Sequence, residues 1–134
     1  MIENRSIPRC TVIPELPYAD LGEAATWLCD AFGFTLRLRI GDHRAQLNVG
    51  DGAVVLTERG DGDVRASVLV RVDDARAHHA RASQRGARIL RPPTDYPFGE
   101  CQYTAEDLGG HRWTFSQSIA DIDPRDWGGT PGQL

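Results

Sequence analysis

Two stretches of this chain place apolar residues every three or four positions, the spacing that predicts a helix with one buried face. The first stretch begins after Asp20 and ends at Gly33, and the second, which has fewer apolar residues, begins after Asp73-Asp74 and ends at Gly86. An Asp at the start of a helix caps its free N–H groups, and a Gly at the end adopts the left-handed backbone that stops it. The pattern therefore predicts two helices of roughly three turns each.

Strand-like patterns surround the two predicted helices in the same order. One run precedes each helix and three follow it, and residues 34–40 alternate so strictly between apolar and polar that one face must be buried. Gly41-Asp42 and Asp51-Gly52 are turn signals between strands of the first copy. The order βαβββ therefore occurs twice, which indicates two related modules. The predicted strands are 11–18, 34–40, 43–49 and 53–57 in the first module, and 67–72, 87–90, 100–106 and 111–117 in the second.

Two stretches break this regularity. Residues 91–99 contain three prolines and predict a loop that leaves one strand of the second module short or missing. Residues 58–65 include Gly60-Asp61-Gly62-Asp63 and predict a linker between the modules. We therefore expect one α+β domain over residues 1–134, with module one at about 11–58, module two at about 66–117 and a tail from 118 to 134.

Composition limits the binding partners and the cellular compartment expected for this protein. A formal net charge of −4 argues against a nucleic-acid partner, and no apolar run is long enough to cross a membrane. The three cysteines are odd in number and lack the spacing of a zinc site, and no signal peptide is recognisable. We therefore expect a cytoplasmic protein.

Short motifs recur in a characteristic order along the chain. They include Leu16-x-Tyr18-x-Asp20, Ala31-Phe32-Gly33-Phe34, His43-x-x-x-Leu47-x-x-Gly50-Asp51 and Asp107-Leu108-Gly109-Gly110-His111-x-Trp113-x-Phe115. In their order and spacing the chain resembles the vicinal-oxygen-chelate superfamily, which holds glyoxalase I, extradiol dioxygenases, fosfomycin-resistance enzymes and bleomycin-resistance binding proteins. The resemblance implies a curled mixed sheet with helices on its convex side, a ligand on its concave side, and an interlocked or domain-swapped homodimer with pockets at the interface.

Enzymes of that superfamily hold one divalent metal ion with His, Gln or Glu side chains from four strands. The resemblance places the corresponding positions here at Ile13, Val55, Ser67 and Thr114. Two of these side chains have no lone pair and two are weak hydroxyl donors, so they do not form a competent ligand set. If the alignment is shifted by two residues along the first strand, which preserves the side-chain face, the only possible ligand gained is Glu15. We therefore predict a protein without metal, cofactor or catalytic residues, similar to the antibiotic-binding branch.

Side-chain alternation then predicts the residues that face the ligand, since positions that share parity with the four lost ligands point to the concave side. Trp113 and Phe115 have the opposite parity and are expected in the core. Tyr96 and Phe98, within the proline-rich stretch, are candidates for an aromatic lid, although they could equally tuck onto their own sheet. The arginines of residues 34–40 could also form a solvated strand face. The predicted ligand-binding residues are Glu15, Arg37, Arg39, Gln46, Asn48, Val55, Thr57, Ser67, Leu69, Tyr96, Phe98, Arg112 and Thr114.

The expected function is non-catalytic binding and sequestration of a bulky aromatic natural-product antibiotic, which protects the cell by lowering the free drug concentration. One alternative is an enzyme that acts on a small molecule: a metal-independent lyase or isomerase that uses His43, His111 or Glu15, or a glyoxalase-like metal enzyme with displaced ligands. Another is a carrier of a biosynthetic intermediate. Trp127, in the tail, could cap a partner subunit or anchor the tail.

Overall fold

The computed structural model describes residues 2–60 and 62–134; Asp61, within the predicted linker, lies outside them. The chain divides into two compact units. The first runs to Ala66 and includes Asp107–His111, and the second comprises Ser67–Glu106 and Arg112–Leu134. The strands pair into two four-stranded mixed sheets, one in each unit. The described residues contain no helix that is both long and apolar enough to cross a membrane.

The first unit has the predicted βαβββ order. Its sheet has the strand order β1-β4-β3-β2, in which β1 runs parallel to β4 and the other neighbours are antiparallel. A parallel pair needs a crossover connection, which the helix and the two strands after it supply. The elements are β1 (Glu15–Tyr18), α1 (Leu21–Phe32), β2 (Thr35–Ile40), β3 (Arg44–Val49) and β4 (Gly52–Glu58).

Helix α1 begins and ends where the sequence predicts. The side chain of Asp20 accepts a hydrogen bond from the Glu23 N–H at 3.0 Å. Gly33 has φ 78° in the left-handed region, and its N–H bonds the Cys29 carbonyl. The apolar stripe of the helix packs on one face of the first sheet, where Leu47 and Leu56 are fully buried. Burial of this stripe holds the helix in place.

The second unit repeats the order. Its sheet has the strand order β5-β8-β7-β6, again with one parallel pair, between β5 and β8. Asp74 caps α2 by accepting from the Ala77 N–H at 3.0 Å. The elements are β5 (Ser67–Arg71), α2 (Ala75–Gln84), β6 (Arg88–Tyr96), β7 (Glu100–Glu106), β8 (Arg112–Ser118) and a short 3₁₀ helix (Pro124–Trp127).

The prediction of a loop over residues 91–99 is wrong for most of that range, because β6 continues to Tyr96. Strand β6 lies at the edge of its sheet, where a proline without an N–H removes no bond between strands. Its pairing with β7 is irregular between Arg91 and Thr94, the stretch that contains Pro92 and Pro93. The second module therefore has all four strands, and the α+β class with two βαβββ modules is confirmed.

The core of the second unit lies between its sheet and α2. Trp113 and Phe115 are fully buried, as alternation predicts. The ring of His78 on α2 lies 4.1 Å from that of Phe115, and its Nδ1 is 2.5 Å from the Tyr103 hydroxyl. Helix α2 therefore covers one face of this sheet and leaves the opposite face uncovered by a helix.

Candidate functional site

In the first unit, most predicted ligand residues lie on the sheet face turned away from α1. Glu15 and Gln46 both pair directly with Val55, and directly paired residues share a face. Asn48 and Thr57 lie two positions along β3 and β4 and point the same way. We refer to this surface as the first open face. Val55 and Gln46 are buried within it, whereas Glu15 is exposed.

Arg39 does not belong to the first open face, and the prediction of its position is wrong. The pairing of β2 with β3 shifts between Leu36 and Leu38, so that Arg39 is opposite Ala45 on the helix side. An ideal Cβ at Gly22 of α1 would lie 3.1 Å from the Arg39 guanidinium. A bulge inserts one residue into a strand and reverses the side-chain faces beyond it. Leu38 and Ile40, which alternation assigns to the core, therefore lie on the first open face.

Arg37 sits at this bulge and forms a polar pair with Gln46. Its Nη1 donates to the Gln46 Oε1 at 2.6 Å. Its Nη2 donates to the carbonyls of Arg5 and Ile7 at 3.0 and 3.1 Å, and the Gln46 Nε2 donates to the carbonyl of Ser6 at 2.9 Å. The segment that precedes β1 is therefore bound to the first open face. Sequence periodicity contains no signal for this contact, because the segment has neither helical nor strand spacing.

The second unit has a corresponding surface, which we call the second open face. Ser67 pairs with Arg112, and Leu69 pairs with Thr114, so these four predicted residues share the face away from α2. Leu69 is 66% exposed, which is unusual for an apolar side chain in the middle of a strand. The prediction that these side chains lie on one face is therefore consistent with the strand pairing.

A hydrogen-bonded network on β7 and β8 completes the second open face. The hydroxyls of Thr104 and Thr114 lie 2.8 Å apart. The Ser116 hydroxyl donates to the Glu100 carboxylate at 2.7 Å and accepts from the Gln102 amide at 3.0 Å. The predicted ligand set omits the three β7 residues, although the strict polar–apolar alternation of residues 100–106 could have placed them here.

Three aromatic rings form a row at the edge of the second unit. Tyr96 and Phe98 stack with centroids 5.3 Å apart and an interplanar angle of 11°, and Phe98 lies 5.3 Å from Trp127. The Tyr96 hydroxyl accepts from Arg91 Nη1 at 2.8 Å. Trp127 therefore packs on its own chain and anchors the tail, yet remains 49% exposed.

The two histidines considered as acids or bases occupy different environments. His111 is fully buried: its Nδ1 accepts from the Ala66 N–H at 2.9 Å, which leaves Nε2 to donate to the Pro17 carbonyl at 2.8 Å. Both ring nitrogens are therefore bound to the backbone, and the residue has a structural role. His43 is exposed and lies 3.2 Å from Glu58.

Asp107 holds the loop that presents His111. Its Oδ1 accepts the N–H groups of Gly109 and His111 at 2.9 and 3.0 Å, and its Oδ2 accepts the Tyr18 hydroxyl at 2.5 Å. Burial, followed by the neighbouring Asp107 carboxylate, raises the pKa of Tyr18 far above its ordinary value. Tyr18 therefore stays a neutral donor.

The four positions implied as metal ligands do not suit a metal. Val55 is aliphatic, and Ser67 and Thr114 are hydroxyl residues on the second open face. Ile13 precedes β1, and Glu15 is the residue paired with Val55. Among residues 2–60 and 62–134, no three His, Cys, Asp or Glu side chains come close enough to hold a metal ion. A set of one carboxylate, two hydroxyls and an aliphatic group does not fit a catalytic divalent ion.

Residues 7–115 match the model of the Glyoxalase/Bleomycin resistance protein/Dioxygenase superfamily. The chain belongs to this superfamily. Comparison with curated proteins yields no match. Among solved structures, TioX from Micromonospora sp. ML1 is 35% identical, with a TM-score of 0.76 over 82% of this chain and 99% of that one.

Two further solved structures show the same fold at lower identity. The bleomycin resistance determinant encoded on the transposon Tn5 is 20% identical, with a TM-score of 0.69 over 83% of this chain and 99% of that one. A glyoxalase/bleomycin resistance protein from Streptomyces sp. CB03234 is 24% identical, with a TM-score of 0.66 over 78% and 97%. The superfamily includes both enzymes and binding proteins, so membership alone does not assign a reaction.

Proposed function

We propose that this protein binds a bulky aromatic natural-product antibiotic and holds it without altering it. The observation that carries the proposal is the chemistry of the two open faces. They present guanidinium, amide and hydroxyl groups beside small aliphatic side chains, and the positions that hold metal in enzymatic members carry no suitable donor set. Such a surface recognises a large, partly polar molecule but supplies no Lewis acid.

The proposed pocket residues are the predicted ones without Arg39. Arg112 and Arg37 offer planar cations that stack on aromatic rings or bind carbonyl groups, and the row of Tyr96 and Phe98 offers a stacking surface. Two copies of the chain form a homodimer in this proposal, with one pocket per subunit at the interface. The remaining proposed residues are Glu15, Gln46, Asn48, Val55, Thr57, Ser67, Leu69 and Thr114.

Protection by binding requires only mass action in the cytoplasm. When the protein is in excess over the drug and its concentration is well above Kd, the free fraction of the drug is about Kd divided by the protein concentration. The similarity to a bleomycin resistance determinant supports this role for the present chain.

Native mass spectrometry tests the proposal directly. The purified full chain is incubated with bleomycin and with a panel of other DNA-binding aromatic antibiotics, and the bound compound is released and weighed. A dimer that retains two molecules and returns them unchanged is the expected result. A released compound of altered mass, a stoichiometric divalent ion, or retention of no compound would overturn the proposal.

A matched pair of variants locates the site. Thr114→Val removes a hydroxyl from the second open face, where it bonds Thr104, and Thr26→Val makes the same change on the exposed side of α1. Loss of one hydrogen bond costs about 1 kcal/mol, or roughly fivefold in affinity. We expect that weakening for Thr114→Val and none for Thr26→Val. Equal affinities in the two variants would exclude the second open face from the site.

A further inference from the structure

Residues 2–13, which we call the strap, lie on the first open face, where the ligand is proposed to bind. Arg37 and Gln46 bind three consecutive backbone carbonyls of the strap, those of residues 5, 6 and 7. A cavity of about 260 Å³ lies beside this contact and is lined by Pro8, Arg9 and Cys10 of the strap together with Arg37 and Asn48. The strap therefore occupies the space above Arg37 and Gln46 on this face.

The strap is attached loosely to that face. The described chain forms no helix or strand before Glu15, and Val12 in the strap is 76% exposed. A second cavity, of about 580 Å³, is lined by strap residues from Ile2 to Ile13, so these residues border open space. Pro8 is the only side chain of the strap that is buried. Segments with few buried contacts open at low free-energy cost.

The polar pair offers the strap only hydrogen-bond donors. The Gln46 carbonyl oxygen is taken by Arg37, which turns the amide N–H₂ of Gln46 toward the strap. Beside it the Arg37 Nη2 reaches two further carbonyls. A group that replaces the strap must therefore supply acceptors, and the spacing of the donors matches successive amide carbonyls of an extended or turned peptide.

We propose that the strap is an internal competitor that leaves the first open face when ligand binds, and that Arg37 and Gln46 recognise amide carbonyls of a peptide ligand. The inference rests on the proposed function and specifies the ligand class at the same site. The strap imitates this ligand, because its own backbone carbonyls accept the hydrogen bonds that Arg37 and Gln46 would donate to the ligand. Ligand affinity is thus reduced by the fraction of molecules in which the strap is seated.

The test uses the full chain and a synthetic capped peptide of residues 2–13 carrying Cys10→Ser, labelled for fluorescence anisotropy. Pro8→Asp places a charge at the buried position of the strap and leaves Arg37 and Gln46 intact. Val12→Asp adds the same charge at an exposed position of the strap and is the matched control. Release of a strap held by these three hydrogen bonds should raise peptide affinity about tenfold in Pro8→Asp, whereas Val12→Asp should resemble the unmodified protein.

A second variant shows where the peptide binds. Arg37→Ala in the Pro8→Asp background should abolish the gain, while Arg39→Ala, which changes the same residue type on the helix side of β2, should preserve it. Equal peptide affinity in Pro8→Asp and Val12→Asp, or a gain that survives Arg37→Ala, would overturn the inference. Because the peptide assay needs no antibiotic, this result is distinguishable from failure of the proposed function, which the retention of bleomycin or the panel compounds tests separately.

Discussion

The close approach of Gly109 to Tyr18 yields a sharp prediction about stability. A Cβ at position 109 would lie 2.6 and 2.8 Å from the Cδ1 and Cε1 atoms of the Tyr18 ring. The ring cannot retreat easily, because it is 1% exposed and its hydroxyl donates to Asp107. The loop cannot retreat either, since the Gly109 N–H donates to the same carboxylate at 2.9 Å. Gly109→Ala must therefore displace one of these groups.

The cost has two parts. Overpacking of a buried site by one methyl group costs about 1–3 kcal/mol. Weakening of a buried hydrogen bond to a charged group adds about 1–2 kcal/mol, for a total of about 2–5 kcal/mol. The assay is urea unfolding followed by circular dichroism, with the midpoint expected to fall and the slope to stay constant. Gly60→Ala is the control, since an added Cβ there meets nothing within 4 Å.

A double-mutant cycle identifies the source of the effect. Tyr18→Leu removes the ring edge that the new methyl group would strike, so Gly109→Ala should cost much less in that background. A Gly109→Ala protein within about 0.5 kcal/mol of the unmodified protein, or full additivity with Tyr18→Leu, would refute the reasoning.

Three other contacts within the two units have testable consequences. His111→Ala removes the hydrogen-bond partner of the Ala66 N–H and of the Pro17 carbonyl. It should lower the free energy of unfolding by about 2–5 kcal/mol in the urea assay. An unchanged midpoint would contradict the structural role of His111. Burial raises the pKa of Tyr18 and Tyr103 above 10, the ordinary value. The stability that these neutral hydroxyls contribute is therefore complete below pH 10 and is lost as the pH rises above it. Absorbance at alkaline pH should show both tyrosines ionising only on unfolding, and ionisation of either one in the folded protein would contradict this prediction. Gly99→Ala directs a methyl group at the Ala120 carbonyl, from a backbone with φ 87°. It should separate Trp127 from Phe98 and shift tryptophan emission to longer wavelength. Gly132→Ala, where an added Cβ meets nothing within 4 Å, is the control and should not shift the emission. Equal spectra for the two variants would disprove the anchoring of the tail.

Features that depend on neighbouring residues are predictable from the sequence. The caps Asp20 and Asp74 and the left-handed Gly33 mark the helices because their hydrogen bonds and backbone angles are local. Alternation also places Trp113 and Phe115 correctly in the core of the second unit. The superfamily fold was predictable for the same reason, since its motifs combine these local signals in a fixed order.

The candidate site was predictable only where strands are regular. Gln46 and Thr114 lie on the predicted faces because β3 and β8 pair without interruption. Arg39 does not, because one extra residue in β2 reverses the side-chain direction beyond it, and a bulge leaves no trace in a pattern of apolar and polar residues.

The sequence by itself determined the two βαβββ modules, their helices and most of the buried stripes, because periodicity and capping act over a few residues. Only the tertiary structure decided which contacts distant segments make. Strand β6 continues through two prolines because it lies at the edge of its sheet, and His111 is buried between the Ala66 N–H and the Pro17 carbonyl. The strap lies across Arg37 and Gln46. These contacts depend on strand neighbours and registers far apart in the chain, and no local pattern encodes them.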